Sequence, residues 1–297
     1  MDWEKEKNNW PHSELSQFVN SSPHIWHIQD TQNQGKKPEQ LPTLLLIHGA
    51  GASAHSWRLV LNCLKNDFRV IVVDLPGHGF TKLGTRNRSS LELMTVDLAI
   101  MLKKLKIQPN LIIGHSAGSA VAINLALISD IKADGILCLN GALGNFSGFA
   151  GIAYPLLAKI LAMSPFTVPL FTSLYSSNNQ VGKFLKMTGS KISPEGVEYY
   201  KRLISAKTHV AGTLAMMSQW NLNKLAREWQ NLSIPIAFIL GEKDNIVQNS
   251  DSIKASKEIM NSEVQINENH GHLMHEEDPD LISNQIRFFY EKYRSFN

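Results

Sequence analysis

The sequence predicts an α/β fold: a mostly parallel central sheet flanked by helices, with a helical cap inserted late in the sheet. Three observations support this. Short continuous apolar runs such as Leu44-Leu45-Leu46-Ile47, Val70-Ile71-Val72-Val73 and Leu111-Ile112-Ile113 alternate with stretches of helical periodicity, the pattern of strands buried on both faces and joined by right-handed crossovers. Several of these runs end in loops rich in Gly, His or Asp, and crossovers of one hand gather such loops at the carboxyl edge of one sheet, where sites form. The third observation is residues 143–229, helical in pattern and crowded with Phe146, Phe149, Tyr154, Phe166, Phe171, Tyr175, Met216, Met217 and Trp220. That is more apolar surface than one crossover helix requires.

Composition narrows the function. A chain of 297 residues, 43% hydrophobic, suits one large domain with an insertion and can bury a substantial core. Its 29 Lys and Arg are scattered against 26 Asp and Glu, for a net charge of +3, so no basic patch of the kind that grips nucleic acid is predicted. Cys63 and Cys138 are too few for a disulfide framework, and Cys138 reads as a buried small hydrophobe. Residues 1–7 are charged and lead into no apolar h-region, which predicts no secretory signal and a cytoplasmic location by default. No uncharged run reaches the ~18 to 20 residues of a membrane span. The nearest approach, residues 149–175, is interrupted by Pro155, Lys159, Pro165 and Pro169. It reads first as cover over an apolar pocket, with a membrane surface as the lesser alternative.

In chain order, residues 1–22 form an arm that Pro11 and Pro23 keep from being one helix. His24-Ile25-Trp26-His27-Ile28 alternates like a strand and Gln32-Asn33-Gln34-Gly35-Lys36-Lys37-Pro38 is a turn-rich break, so an edge hairpin is expected there. The buried strand at 43–47 ends in His48-Gly49-Ala50-Gly51-Ala52-Ser53. This glycine-rich loop has neither phosphate-binding spacing, so an oxyanion-hole loop is the better reading. A short helix is expected over 56–64, a strand over 69–73 followed by Asp74-Leu75-Pro76-Gly77-His78-Gly79-Phe80, and a helix over 91–105. Beyond residue 118 the expectations are strands over 133–139, 234–240 and 263–267, and a last helix started by Asp278-Pro279.

The chemistry centres on Gly114-His115-Ser116-Ala117-Gly118, which follows an apolar run and precedes the small-residue stretch Ser119-Ala120-Val121-Ala122. A G-x-S-x-G between strand and helix is a nucleophile elbow, with Ser116 projecting from the turn. A serine hydroxyl needs a histidine to take its proton and a carboxylate to orient that histidine. In elbow enzymes the acid and then the base follow the serine along the chain. Asp244 follows the strand ending at Leu240-Gly241, with Glu242 in reserve, and His272 lies after the last strand, in competition with His270 and His275. The same histidines, with Glu276, invite a zinc reading. It ranks lower because it leaves Ser116, Asp244 and the His48-Gly49 loop without a shared purpose.

His48-Gly49-Ala50-Gly51, Asp74-Leu75-Pro76-Gly77-His78-Gly79, Gly114-His115-Ser116-Ala117-Gly118, Gly241 with Asp244, and Gly271-His272 with Glu277-Asp278-Pro279 together resemble the α/β-hydrolase superfamily over nearly the whole chain. A narrower resemblance reaches into the arm and cap. Trp10-Pro11-His12-Ser13-Glu14, His55-Ser56-Trp57-Arg58, Asn140-Gly141-Ala142, Thr188-Gly189-Ser190 and His209-Val210 with Gly212, Met216, Met217 and Trp220 resemble the magnesium-chelatase accessory proteins of bacteriochlorophyll biosynthesis. The elbow departs from the commoner G-x-S-x-G-G form in carrying Ser119 last.

The resemblances imply an α/β-hydrolase core over 1–142 and 230–297 with its arm at 1–22, and a helical cap over 143–229. Ser116, Asp244 and His272 form the expected triad, with Ala50, Gly51 and Ala117 as the oxyanion hole and no metal or other cofactor. An aspartate in place of Ser116, as epoxide hydrolases and haloalkane dehalogenases would require, is absent. The expected substrate is small and apolar, with tetrapyrroles as the implied class and magnesium chelatase as the implied partner. An accessory protein that binds a tetrapyrrole without turnover, and an ordinary carboxylesterase or carbon–carbon bond hydrolase, are the alternatives.

Overall fold

Leu44 and Leu46 pack on one face of the central sheet with Trp57, Leu61, Phe289 and Tyr293, while Leu45 and Ile47 pack on the other with Met94, Val121 and Phe238. Alternate residues of one strand thus enter two separate cores, which is why these strands read as unbroken apolar runs. The computed structural model describes residues 1–34, 41–144, 167–175 and 178–294. Its eight strands are β1 (Ser16–Ser21), β2 (His24–Asp30), β3 (Thr43–Ile47), β4 (Arg69–Val73), β5 (Leu111–His115), β6 (Gly135–Leu139), β7 (Ile236–Gly241) and β8 (Ser262–Asn267), in the order β1-β2-β4-β3-β5-β6-β7-β8. β1 pairs antiparallel with β2, and β2 with β4, while the remaining neighbours are parallel.

An edge hairpin is present, but its turn lies at Ser22-Pro23 and not in the break at 32–38, and its first strand comes from the arm. Ser16 to Ser21 pair with His24 to Gln29, so the arm is an integral part of the sheet from residue 16 on. The helix expected over 56–64 is divided into a 3-10 turn at Ala54–Trp57 and α1 at Arg58–Leu64. α2 (Leu91–Lys104) and α3 (Ala117–Ile128) cover one face, and α10 (Pro279–Tyr293) packs with α1 on the other. α10 begins as expected, Asp278 Oδ1 accepting Leu281 N–H. Cys138 is fully buried, and burial pushes its thiol up to about 12.

The described helices between β6 and β7 are α4 (Thr167–Tyr175), α5 (Asn178–Met187), α6 (Pro194–Ser205), α7 (Lys207–Gln219) and α8 (Asn223–Glu228), and α9 (Asn249–Glu258) follows β7. A third apolar cluster joins them to the body: Trp10 of the arm, Ala52 and Phe80 of two core loops, Val181 and Leu185 of α5, and Tyr199, Tyr200 and Leu203 of α6. Of the aromatics and methionines singled out for the inserted segment, Met216 is buried, Trp220 packs against the main core and Met217 is exposed. Phe146, Phe149, Tyr154 and Phe166, and the side chains of Phe171 and Tyr175, lie outside the described residues. Among the described residues, no helix is long and apolar enough to cross a membrane.

Candidate active site

Ser116 stands between β5 and α3 with φ 52° and ψ −119°, a conformation that a non-glycine residue holds only when its surroundings over-determine it. Its N–H donates to Leu139 O (2.9 Å), and its carbonyl accepts Ser119 N–H and Ala142 N–H, both at 3.0 Å. The flanking glycines are needed for close approach: a Cβ on Gly114 would lie 2.3 Å from Gly118 O, and one on Gly118 would lie 2.4 Å from Ile47 O. Ser119 fits the crowded position after Gly118 because its hydroxyl donates to Gly114 O (2.8 Å) and Gly141 packs opposite it.

Asp244 and His272 are brought together because β7 and β8 are neighbours. Asp244 Oδ2 lies 2.7 Å from His272 Nδ1, while Oδ1 accepts the N–H groups of Ile246 (2.7 Å) and Val247 (3.0 Å). One oxygen thus fixes the carboxylate and the other fixes the imidazole. The loop of His272 is itself anchored, since its carbonyl accepts His115 Nε2–H (2.8 Å) and Asn140 Nδ2–H (2.9 Å). Asn140 also donates to Gly271 O (2.8 Å) and accepts Gly241 N–H (2.7 Å), tying the acid loop and the base loop to the end of β6. Ser116 and His272 are 8% and 6% exposed, and among the described residues no hydrogen bond joins them. Such contacts are often loose before substrate arrives.

The competing residues lie elsewhere. Glu242 is exposed and accepts Asn269 N–H. His270 Nδ1 donates to Glu268 O (2.7 Å), and Nε2 is 3.5 Å from Asp278. His275 is fully buried against Trp57 and His115, and burial followed by the nearby His272 and Arg58 holds it neutral, down to about 3. Among the described residues, no group of three or more His, Cys, Asp and Glu side chains converges in a way that could hold a metal ion.

The glycine-rich loop after β3 lies against the elbow, since a Cβ on Gly49 would come within 2.9 Å of Ser116 Cβ. His48 sets the loop: its Nδ1–H donates to Gly49 O (2.7 Å) and its Nε2 accepts Leu75 N–H (3.0 Å). Ala117 starts α3, where the first N–H groups have no acceptor within the helix.

Three contacts were invisible in the motifs taken singly, and each uses a segment that had only the narrower resemblance to recommend it. Thr188 O accepts His272 N–H (3.1 Å) and Asn245 N–H (3.4 Å), while Ser190 Oγ accepts Leu273 N–H (2.8 Å). The turn after α5 therefore braces both the acid loop and the base loop. His209 of α7 donates from Nε2 to Gly51 O (3.1 Å) and accepts Gly79 N–H at Nδ1 (3.0 Å), joining two core loops to the inserted helices. Burial holds it neutral, down to about 3. Finally, Arg58 donates to Glu276, which also accepts Tyr200 Oη–H of α6 (2.8 Å), in a buried network. Burial raises the Glu276 carboxyl while Arg58 opposes it.

Residues 42–279 match the model of the alpha/beta hydrolase fold. The magnesium-chelatase 30 kDa subunit of Rhodobacter capsulatus is 38% identical over 278 residues, covering 94% of this chain and 95% of that one. Protein phosphatase methylesterase 1 of Bos taurus is 34% identical over 103 residues, 33% of this chain and 27% of its own. Among solved structures, the epoxide hydrolase CorEH aligns with TM-score 0.76 at 20% identity, over 93% of this chain and 98% of its own. Cfl2 of Burkholderia cenocepacia aligns with TM-score 0.75 at 18% identity, over 93% and 95%. At such identities the structures speak for the fold alone. The chain belongs to the alpha/beta hydrolase fold family, and within it is a homologue of the magnesium-chelatase 30 kDa subunit.

Proposed function

We propose that the protein is a serine hydrolase acting on an apolar ester-like or other acyl substrate. The observation that carries this reading is the 2.7 Å contact between Asp244 Oδ2 and His272 Nδ1, beside a serine held at positive φ on a strand-to-helix turn. Ser116 Oγ attacks the acyl carbon as His272 Nε2 takes its proton, and Asp244 holds the ring with Nδ1–H toward the carboxylate. The oxyanion receives the N–H of Ala117 and that of Ala50 or Gly51, each such donor contributing about 2.7 to 4 kcal/mol to the transition state. His272 returns the proton to the leaving group. It then takes a proton from water, whose oxygen attacks the acyl-enzyme, and Ser116 leaves with that proton restored. The homology to a chelatase subunit supports tetrapyrrole esters as the first substrates to screen.

A second reading, a tetrapyrrole-binding accessory protein of magnesium chelatase without turnover, is favoured by that homology. Treatment with a fluorophosphonate and mapping of the adduct by mass spectrometry separates the two. Label confined to Ser116, and lost in Ser116→Ala, supports the hydrolase. No label, with a porphyrin absorbance shift that persists in Ser116→Ala, favours the binding protein.

A further inference from the structure

The outer face of α5 has no role in the chemistry above, and its composition is unusual for a surface helix. Val181 and Leu185 point inward, 1% and 4% exposed, into the cluster that holds Tyr199, Tyr200 and Leu203. At 3.6 residues per turn, Lys183, Lys186 and Met187 fall on the opposite arc and Phe184 on its flank. Phe184 is 57% exposed, Met187 is 69% exposed, and both lysines are exposed. The patch continues past the helix: the Asn245 N–H bond to Thr188 O puts Ile246, 52% exposed, beside the helix end. Lys191 and Lys243 are exposed on the segments that border it. Among the described residues, none of these four lysines is ion-paired with a carboxylate. Lys243 donates to Asn269 Oδ1, and the nearby Glu277 is turned to the backbone N–H groups of Gly271 and Lys191.

We infer that this face of α5, with Ile246, docks on an anionic lipid bilayer. Large apolar side chains on a convex helix flanked by unpaired lysines match a plane of lipid: Phe184 and Met187 enter at the boundary of headgroups and acyl chains, and the ammonium groups reach the lipid phosphates. The inward face of the helix is already committed to α6, so the apolar outer face has no place in the core. The inference stands apart from the chemistry at Ser116. Its consequence for the site is positional, because Thr188, next after Met187, carries the carbonyl that holds His272 and Asn245. An apolar substrate dissolved in the bilayer would meet the molecule on the side of these loops.

The test is co-sedimentation of the whole protein with vesicles of phosphatidylcholine alone and of phosphatidylcholine mixed with phosphatidylglycerol. Binding is expected to the mixed vesicles only, weakening as salt rises. Lys183→Glu with Lys186→Glu should lower the partition coefficient at least about tenfold, and Phe184→Ser with Met187→Ser should also release the protein. Melting temperatures should be unchanged in both, since all four side chains are exposed. Lys254→Glu with Lys257→Glu, on the exposed surface of α9, makes the same change in net charge and should leave binding intact. The inference is overturned by absence of binding to mixed vesicles, by an equal loss in the α9 variant, or by full binding of the Phe184 and Met187 variant.

Discussion

Among the described residues, two Asp–His pairs share one geometry, Nδ1 to Oδ2 at 2.7 Å. Asp244 Oδ2 lies 2.7 Å from His272 Nδ1, and Asp74 Oδ2 lies 2.7 Å from His27 Nδ1. The second pair even continues to a serine, with His27 Nε2 3.0 Å from Ser16 Oγ. What separates them is their surroundings. His27 and Asp74 have no exposure, and the imidazole is enclosed by Trp3, Phe18 and Phe80 at centroid distances of 5.2 to 5.5 Å. Asp74 also accepts Ala54 N–H and Phe80 N–H, knitting β2 to two loops. Burial alone would raise the Asp74 carboxyl, but His27 beside it holds it well below the usual carboxylate range. Ser16 sits in a regular edge strand, whereas Ser116 stands on a strained turn beside N–H groups at a helix start. Around His27 a hydrogen-bonded Ser–His–Asp chain serves the fold alone. A serine on a strained turn at a helix start, rather than in a regular strand, distinguishes the candidate site from the strut.

The comparison is sharpened most by Ser116→Ala or His272→Ala, expected to lower turnover on an ester by about 10⁶; an active Ser116→Ala protein breaks it. Asp244→Asn should cost about 10⁴ in kcat with the melt preserved, because the imidazole loses its orienting acceptor. Asp74→Ala should act the other way, destabilising the fold by about 3 to 5 kcal/mol as the buried imidazole loses its partner. Whatever protein remains folded should still take label at Ser116, and a folded but unlabelled Asp74→Ala protein would show that the strut belongs to the site. Acid should weaken the fold through His209 and His275. Both stay neutral down to about 3 when folded and titrate near 6.5 when unfolded. Unfolded chains then take up protons that the native state refuses, so stability falls as pH drops below 6.5 and is constant in this respect above it. Melting temperatures measured on either side of that value check the sign. The smallest effect is expected from Ser16→Ala: about 1 kcal/mol of stability for one hydrogen bond and no change in labelling.

Periodicity and chain order were enough for the fold. The strand runs, the glycines of the elbow and the Asp278-Pro279 helix start are local signals, each read within a few residues. Strand ends moved by one or two positions, as at residues 133–139, where pairing begins only at Gly135. Position after a buried parallel strand put Asp244 ahead of Glu242, and the resemblance to the α/β-hydrolase superfamily put His272 ahead of its two neighbours; the contact between Asp244 and His272 follows from adjacent parallel strands. The strut could not be read in this way, because Ser16, His27 and Asp74 lie in three segments with no shared spacing. The brace at Thr188 was hidden for another reason: its bonds to the acid and base loops come from a backbone carbonyl, which no side-chain pattern encodes.

Two places where inserted helices meet the core leave no room for any side chain. A Cβ on Gly212 of α7 would lie 2.1 Å from Gly77 O, and one on Gly271 would lie 2.3 Å from the carbonyl carbon of Gly189. Backbone rests on backbone at both seams, so neither half can change its residue there unless the other withdraws. For recombination between relatives, this makes the inserted helices a poor module. A segment transplanted from a homologue that lacks glycine at 189 or 212 would be lifted off the loops that hold His272 and Gly51, and the seam would have to be exchanged together with its bed.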